Sequence, residues 1–93
     1  MLEMKLIVHG RVQGVGYRYS IIEHIENNQI LLRGYISNLP NGTVEILAQG
    51  DIESLKDLRR FAVLGSSTSV LRDIEEVVQN ITEYTYDSFD IAY

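Results

Sequence analysis

From Gly10 to Arg18 the chain reads Gly10-Arg11-Val12-Gln13-Gly14-Val15-Gly16-Tyr17-Arg18, with three glycines within seven residues. Glycines let successive backbone N–H groups converge on one point, and a helix start adds donors that have no intrahelical partner. An arginine in the first helical turn brings a planar guanidinium that can grip phosphate through two parallel hydrogen bonds. Together these groups can hold a phosphoryl group without a metal ion. The same spacing also suits a tight strand-to-helix turn whose arginine sits in solvent, so residue types alone leave both readings open. Two nucleotide patterns do not fit: Tyr17 stands where a P-loop needs lysine after Gly16, and Tyr19 stands where a dinucleotide fingerprint needs its third glycine.

The charge balance confines any anion site to this first third. Eight Lys and Arg face 13 Asp and Glu, a net charge of −5, which excludes holding duplex nucleic acid or an anionic membrane through summed positive charge. No Lys or Arg follows Arg72, while Asp73, Glu75, Glu76, Glu83, Asp87 and Asp90 accumulate. The chain has no cysteine, hence no disulfide, thiolate metal site or cysteine nucleophile, and His9 and His24 are too few for a multi-histidine zinc site. Asp73 and Glu75 share one face of a strand while Glu76 takes the other, the pattern of a solvated face rather than of metal ligands. His9 is expected at the strand surface and His24 in solvent; Tyr17, Tyr19 and Tyr35 are expected to pack rather than to stack on bases.

The elements that must position the loop can be read along the chain. Met4 to His9 is a short apolar, β-branched strand stopped by Gly10. Tyr17, Ile21, Ile22 and Ile25 recur at helical spacing, predicting a helix over 17–28 with Asn27-Asn28 as its exit. Ile30 to Asn38 and Thr43 to Gln49 read as a hairpin around Leu39-Pro40-Asn41-Gly42. Asp51 is set as the N-cap of a second helix with Leu55, Leu58, Phe61 and Ala62 inward and Gly65 as a left-handed stop. A long strand over Val70 to Val78 and a short one with Phe89, Ile91 and Tyr93 alternating complete the order βαββαβ plus a terminal strand. That order predicts a ferredoxin-like α+β plan. It is a split βαβ sandwich, an antiparallel sheet with both helices on one face and the first and third strands central.

At 93 residues, 45% hydrophobic and 23% charged, the chain has the composition of one globular domain spanning 1–93. A domain of this size buries about 60 to 65% of its unfolded surface, leaving no volume for haem, flavin or a buried dinucleotide. No apolar run approaches the roughly 18 residues of a membrane span, and Met1 to Ile7 lacks a signal-peptide layout, so a cytoplasmic monomer without cofactor is expected.

The stretch GRVQGVGYR resembles the signature of the acylphosphatase family, small ferredoxin-like enzymes that hydrolyse the carboxyl-phosphate bond of acyl phosphates. The resemblance continues through Gly34-Tyr35-Ile36-Ser37-Asn38, Asn41-Gly42-Thr43-Val44-Glu45, Ala48-Gln49-Gly50, Gly65-Ser66-Ser67 and Phe89-Asp90-Ile91-Ala92-Tyr93, nearly the whole chain in the same order. It implies that Arg18 is the catalytic arginine, that Asn38 is the catalytic asparagine, and that Gln13, Gly14, Val15, Gly16 and Tyr17 form the phosphate-binding loop. It also implies a small acyl phosphate as substrate, with inorganic phosphate as product and competitive inhibitor, and no metal. The chain departs from the family pattern in a slightly longer interval between Arg18 and Asn38, in Asn28-Gln29-Ile30 at the step into the second strand, and in Gly65-Ser66 where glycine-proline is usual. An acyl phosphate carries a good carboxylate leaving group, so positioning, charge neutralisation and an oriented water suffice. A neutral amide such as Asn38 can aim that water without repelling phosphate. Without the water-orienting amide, the same loop would serve a non-catalytic module that senses or carries a small anion.

Overall fold

The computed structural model describes residues 1–93. Its elements are β1 (Leu2–Arg11), α1 (Tyr17–Asn27), β2 (Arg33–Asn38), β3 (Val44–Gly50), α2 (Ile52–Leu64), β4 (Val70–Asn80) and β5 (Phe89–Ile91). The strand order is β4-β1-β3-β2-β5, which places β1 and β3 together at the centre as the split βαβ plan requires. Alternation builds one face of the sheet: Met4, Leu6 and Val8 on β1, Val44, Ile46 and Ala48 on β3, and Ile36 on β2 are all buried. They join Tyr17, Ile21 and Ile25 of α1 and Leu55, Leu58 and Ala62 of α2 in a single apolar cluster, so both helices cover that face. Each fully buried Leu or Ile contributes about 1.5 to 3 kcal/mol of transfer free energy, and this cluster is what holds the loop and the hairpin in register.

The expected antiparallel sheet is instead mixed. Strand β5 runs parallel to β2, pairing Gly34 with Phe89 and Ile36 with Ile91. The chain leaves β4 on one edge and crosses the end of the sheet to reach the other, anchored where Ile81 N–H donates to Met1 O (3.0 Å) and Thr85 N–H to Gln49 Oε1 (2.9 Å). It therefore enters β5 in the direction of β2. Tyr93, expected to alternate inside the last strand, lies beyond it. Strand β4 extends two residues past Val78, to Asn80, because β1 offers partners as far as Leu2.

Strand β2 begins at Arg33 rather than Ile30, because the preceding residues close α1. Ile30 N–H reaches back to Ile25 O (3.0 Å) and Gln29 N–H to Glu26 O (3.2 Å), the paired bonds of a Schellman motif. Gln29 holds the left-handed position at φ 52°, where glycine is usual. At the end of α2, Gly65 has the positive φ expected of a stop, 68°, but its ψ of −166° lies outside the left-handed helical region expected of the cap; its N–H still bonds Phe61 O at 2.8 Å. The other end follows the expectation: Asp51 Oδ1 accepts from Ser54 N–H at 2.7 Å. His24, expected in solvent, instead joins the helices. Its Nε2 lies 2.8 Å from Asp57 Oδ2 and its ring stacks on Phe61 at 4.1 Å, because Asp57 and Phe61 share one face of α2 opposite it.

Candidate active site

Strand β1 delivers the loop through a bulge. Its register with β4 shifts between His9 and Gly10, and Gly10 sits at φ 136° where a Cβ would lie 2.0 Å from Val70 O. Only glycine allows the strand edges to meet here. Beyond it, Val12 is buried and pins the loop to the core. Gly14 and Gly16 have φ of 71° and 75° with no atom near a would-be Cβ, so they are required by backbone conformation rather than by space.

Gly16 is the N-cap of α1 and has no side-chain cap; the first helical bond runs from Ser20 N–H to Gly16 O at 3.0 Å. No backbone N–H from Gly14 through Tyr19 donates to a backbone carbonyl. These donors lie at a helix start, where the partial positive charge of the helix dipole favours an anion.

Two tethers fix the loop. Val15 O accepts from Ser66 Oγ (3.1 Å) and Thr68 Oγ1 (2.9 Å) in the α2–β4 connection. Because N–H and C=O of a trans peptide point in opposite directions, this turns the Gly16 N–H away from that connection. On the other side, Gln13 Nε2 donates to Leu39 O and to Thr43 O, each at 2.8 Å. The Gln13 side chain therefore faces the β2–β3 turn, and what it leaves to the loop is backbone. Tyr17 likewise gives the loop only its backbone. Its side chain is buried with the hydroxyl donating to Ala62 O at 2.7 Å, and burial pushes that hydroxyl's pKa up.

Arg18 stands in the first turn of α1. Its guanidinium takes part in none of the five ion pairs of the structure and lies 5.4 Å from the centre of the Tyr93 ring. Asn38 is the last residue of β2, paired with Val44 across the hairpin. Its Oδ1 is buried with no hydrogen-bond partner, an arrangement that costs about 1 to 3 kcal/mol and calls for a donor. Asn41 differs, since its Oδ1 accepts from Thr43 N–H (3.1 Å) and Thr43 Oγ1 (2.6 Å) and closes the turn.

His9 does not serve the loop: its Nε2 is 2.6 Å from Glu75 Oε2 on the neighbouring strand. Glu76 points the other way and bonds Arg59 Nε at 2.7 Å, so the acidic cluster of β4 is split between the faces as its parity predicts. Sequence reasoning missed Ser66, Thr68 and Tyr93. A serine- and threonine-rich stretch after Gly65 signals a loop, and nothing local says which carbonyl its hydroxyls will find.

The family model described as Acylphosphatase matches residues 4–91. The acylphosphatase of Petrotoga mobilis is 38% identical over 93 residues, covering 100% of both chains. Among solved structures, the crystal structure of acylphosphatase from Bacillus subtilis superposes with a TM-score of 0.89 at 35% identity over 100% of both chains. An acylphosphatase from Coxiella burnetii gives 0.79 at 27% identity over 97% of this chain and 90% of its own. With sequence and fold matched end to end, the chain belongs to the acylphosphatase family of hydrolases.

Proposed function

We propose that this chain hydrolyses the carboxyl-phosphate bond of small acyl phosphates, releasing a carboxylate and inorganic phosphate, and that it does so as a metal-independent monomer. The observation that carries the reading is the run of backbone N–H groups from Gly14 to Tyr19, free of backbone acceptors at the start of α1, with Arg18 in its first turn engaged in no ion pair. The amides and the guanidinium bind the phosphoryl oxygens and neutralise the charge that develops on them. The neutral amide of Asn38, at the end of β2, turns toward the loop to hold the attacking water and aims it in line with the breaking bond. The phosphorus–oxygen bond to the carboxylate breaks as the water oxygen bonds to phosphorus, and the water's proton passes to a phosphate oxygen, since Asn38 orients without deprotonating. Arg18 supplies the cationic charge at the loop, and no three His, Asp or Glu side chains converge in a ligand cluster.

The test is benzoyl phosphate hydrolysis by the purified chain, with and without excess EDTA. Turnover unchanged by chelation is expected; turnover lost to EDTA and restored by Mg2+ would overturn the metal-free mechanism. Phosphate at 100 times its Kd should stabilise the fold by about 2.7 kcal/mol, and Arg18→Ala should abolish this while lowering the phosphate-free Tm only slightly, as Arg18 has no ion pair and only its contact with the Tyr93 ring to lose. Phosphate binding without turnover would identify an anion-binding module instead.

A further inference from the structure

We infer that Gln13 is a positioning residue for Asn38, a clip that sets the water-orienting amide against the phosphate loop; the inference rests on the function proposed above. The Gln13 amide nitrogen spends both of its hydrogens across the gap between loop and hairpin, one on Leu39 O and one on Thr43 O, each at 2.8 Å. Those carbonyls bracket the site: Leu39 directly follows Asn38, and Thr43 precedes Val44, the cross-strand partner of Asn38. The end of β2 is thus gripped from both strands of its hairpin by one side chain that grows out of the loop.

The bonding of the two carbonyls separates positioning from simple stabilisation. Leu39 O also accepts from Gly42 N–H (3.1 Å), and Thr43 O also accepts from Leu39 N–H (2.9 Å). Deleting the Gln13 amide therefore orphans neither carbonyl, and the turn keeps its own bonds and its Asn41 closure. What is lost is the tie between the turn and the loop. The loop's other tether, Val15 O to Ser66 and Thr68, does not involve the hairpin, so the cradle keeps its shape. Since the two acceptors are both carbonyls, the side chain must present a donor; an isosteric carboxylate or thioether cannot replace it.

The experiment is a double-mutant cycle on benzoyl phosphate hydrolysis with Gln13→Met, which keeps the length of the side chain without its donors, and Asn38→Ala. Gln13→Met should lower kcat about tenfold or more while the phosphate inhibition constant stays within about threefold of the parent. In the Asn38→Ala background the same substitution should cost less than about threefold further, because its effect passes through the residue already removed. Additive losses, or phosphate inhibition weakening in step with kcat, would overturn the inference and make Gln13 part of the cradle or of general stability. A parent that loses turnover on Asn38→Ala but is indifferent to Gln13→Met would sink the clip alone; a parent without turnover would sink the proposed function and the clip with it. If Gln13→Met does not fold, Gln13→Asn, one methylene too short to span both carbonyls, is read against the same outcomes.

Discussion

Asn38 and Asn41 lie three residues apart in the sequence and differ in what their amides touch. The Asn41 oxygen is spent on Thr43, while the Asn38 oxygen is buried with no partner. A group that acts only on the attacking water should lower the chemical step and spare the ground-state grip on phosphate. Asn38→Ala is therefore expected to cut kcat by about 10² to 10³, the loss seen when one preorganised polar group is removed from a site, with phosphate inhibition little changed. Asn41→Ala should lower Tm and keep turnover. Steady-state kinetics and melting of the two variants decide the assignment, and an inactive Asn41→Ala beside an active Asn38→Ala would move the site by one turn of the hairpin. Asn38→Asp should be worse than alanine, since a carboxylate there repels the anion as well.

The helices owe their limits to capping, and two of those caps give opposite expectations. Asp51 accepts the Ser54 N–H, a bond that holds its carboxyl below the ordinary carboxylate range. A group whose pKa is lowered by folding stabilises above its unfolded value and loses that contribution as pH falls toward the folded one. Asp51→Ala should thus melt several degrees below the parent at neutral pH. The gap should close as pH drops through about 3.9 and below, which melting curves at stepped pH will show. At the end of α1, Gln29 occupies the left-handed region at φ 52° and is exposed. A side chain there costs roughly 1 to 2 kcal/mol that glycine avoids. Gln29→Gly should raise Tm with turnover unchanged; a lower Tm would mean that the Gln29 side chain contributes more than its backbone costs.

Across the whole molecule, the net charge of −5 restricts anion binding to a local grip, and duplex DNA should not bind at physiological salt, a prediction that a gel-shift titration checks directly. Most features with a local cause are legible in the residues themselves, the closure of α1 at Gln29 and the conformation of Gly65 excepted. The buried alternation of β1 and β3 and the apolar stripe of α2 follow from the periods of two and 3.6 residues, the hairpin turn and the Asp51 cap from turn and capping chemistry, and the glycine loop from the positive φ that Gly14 and Gly16 adopt. Whatever depends on distant partners is set by packing instead. Gln13 finds carbonyls 26 and 30 residues away, the hydroxyls that turn the Val15 peptide come from 51 and 53 residues away, and His24 meets Asp57 only once the helices lie side by side. The direction of β5 is likewise set by where β4 leaves the sheet. Periodicity says which face of an element is buried, and only packing of the assembled layers says which distant carbonyl a buried donor will meet.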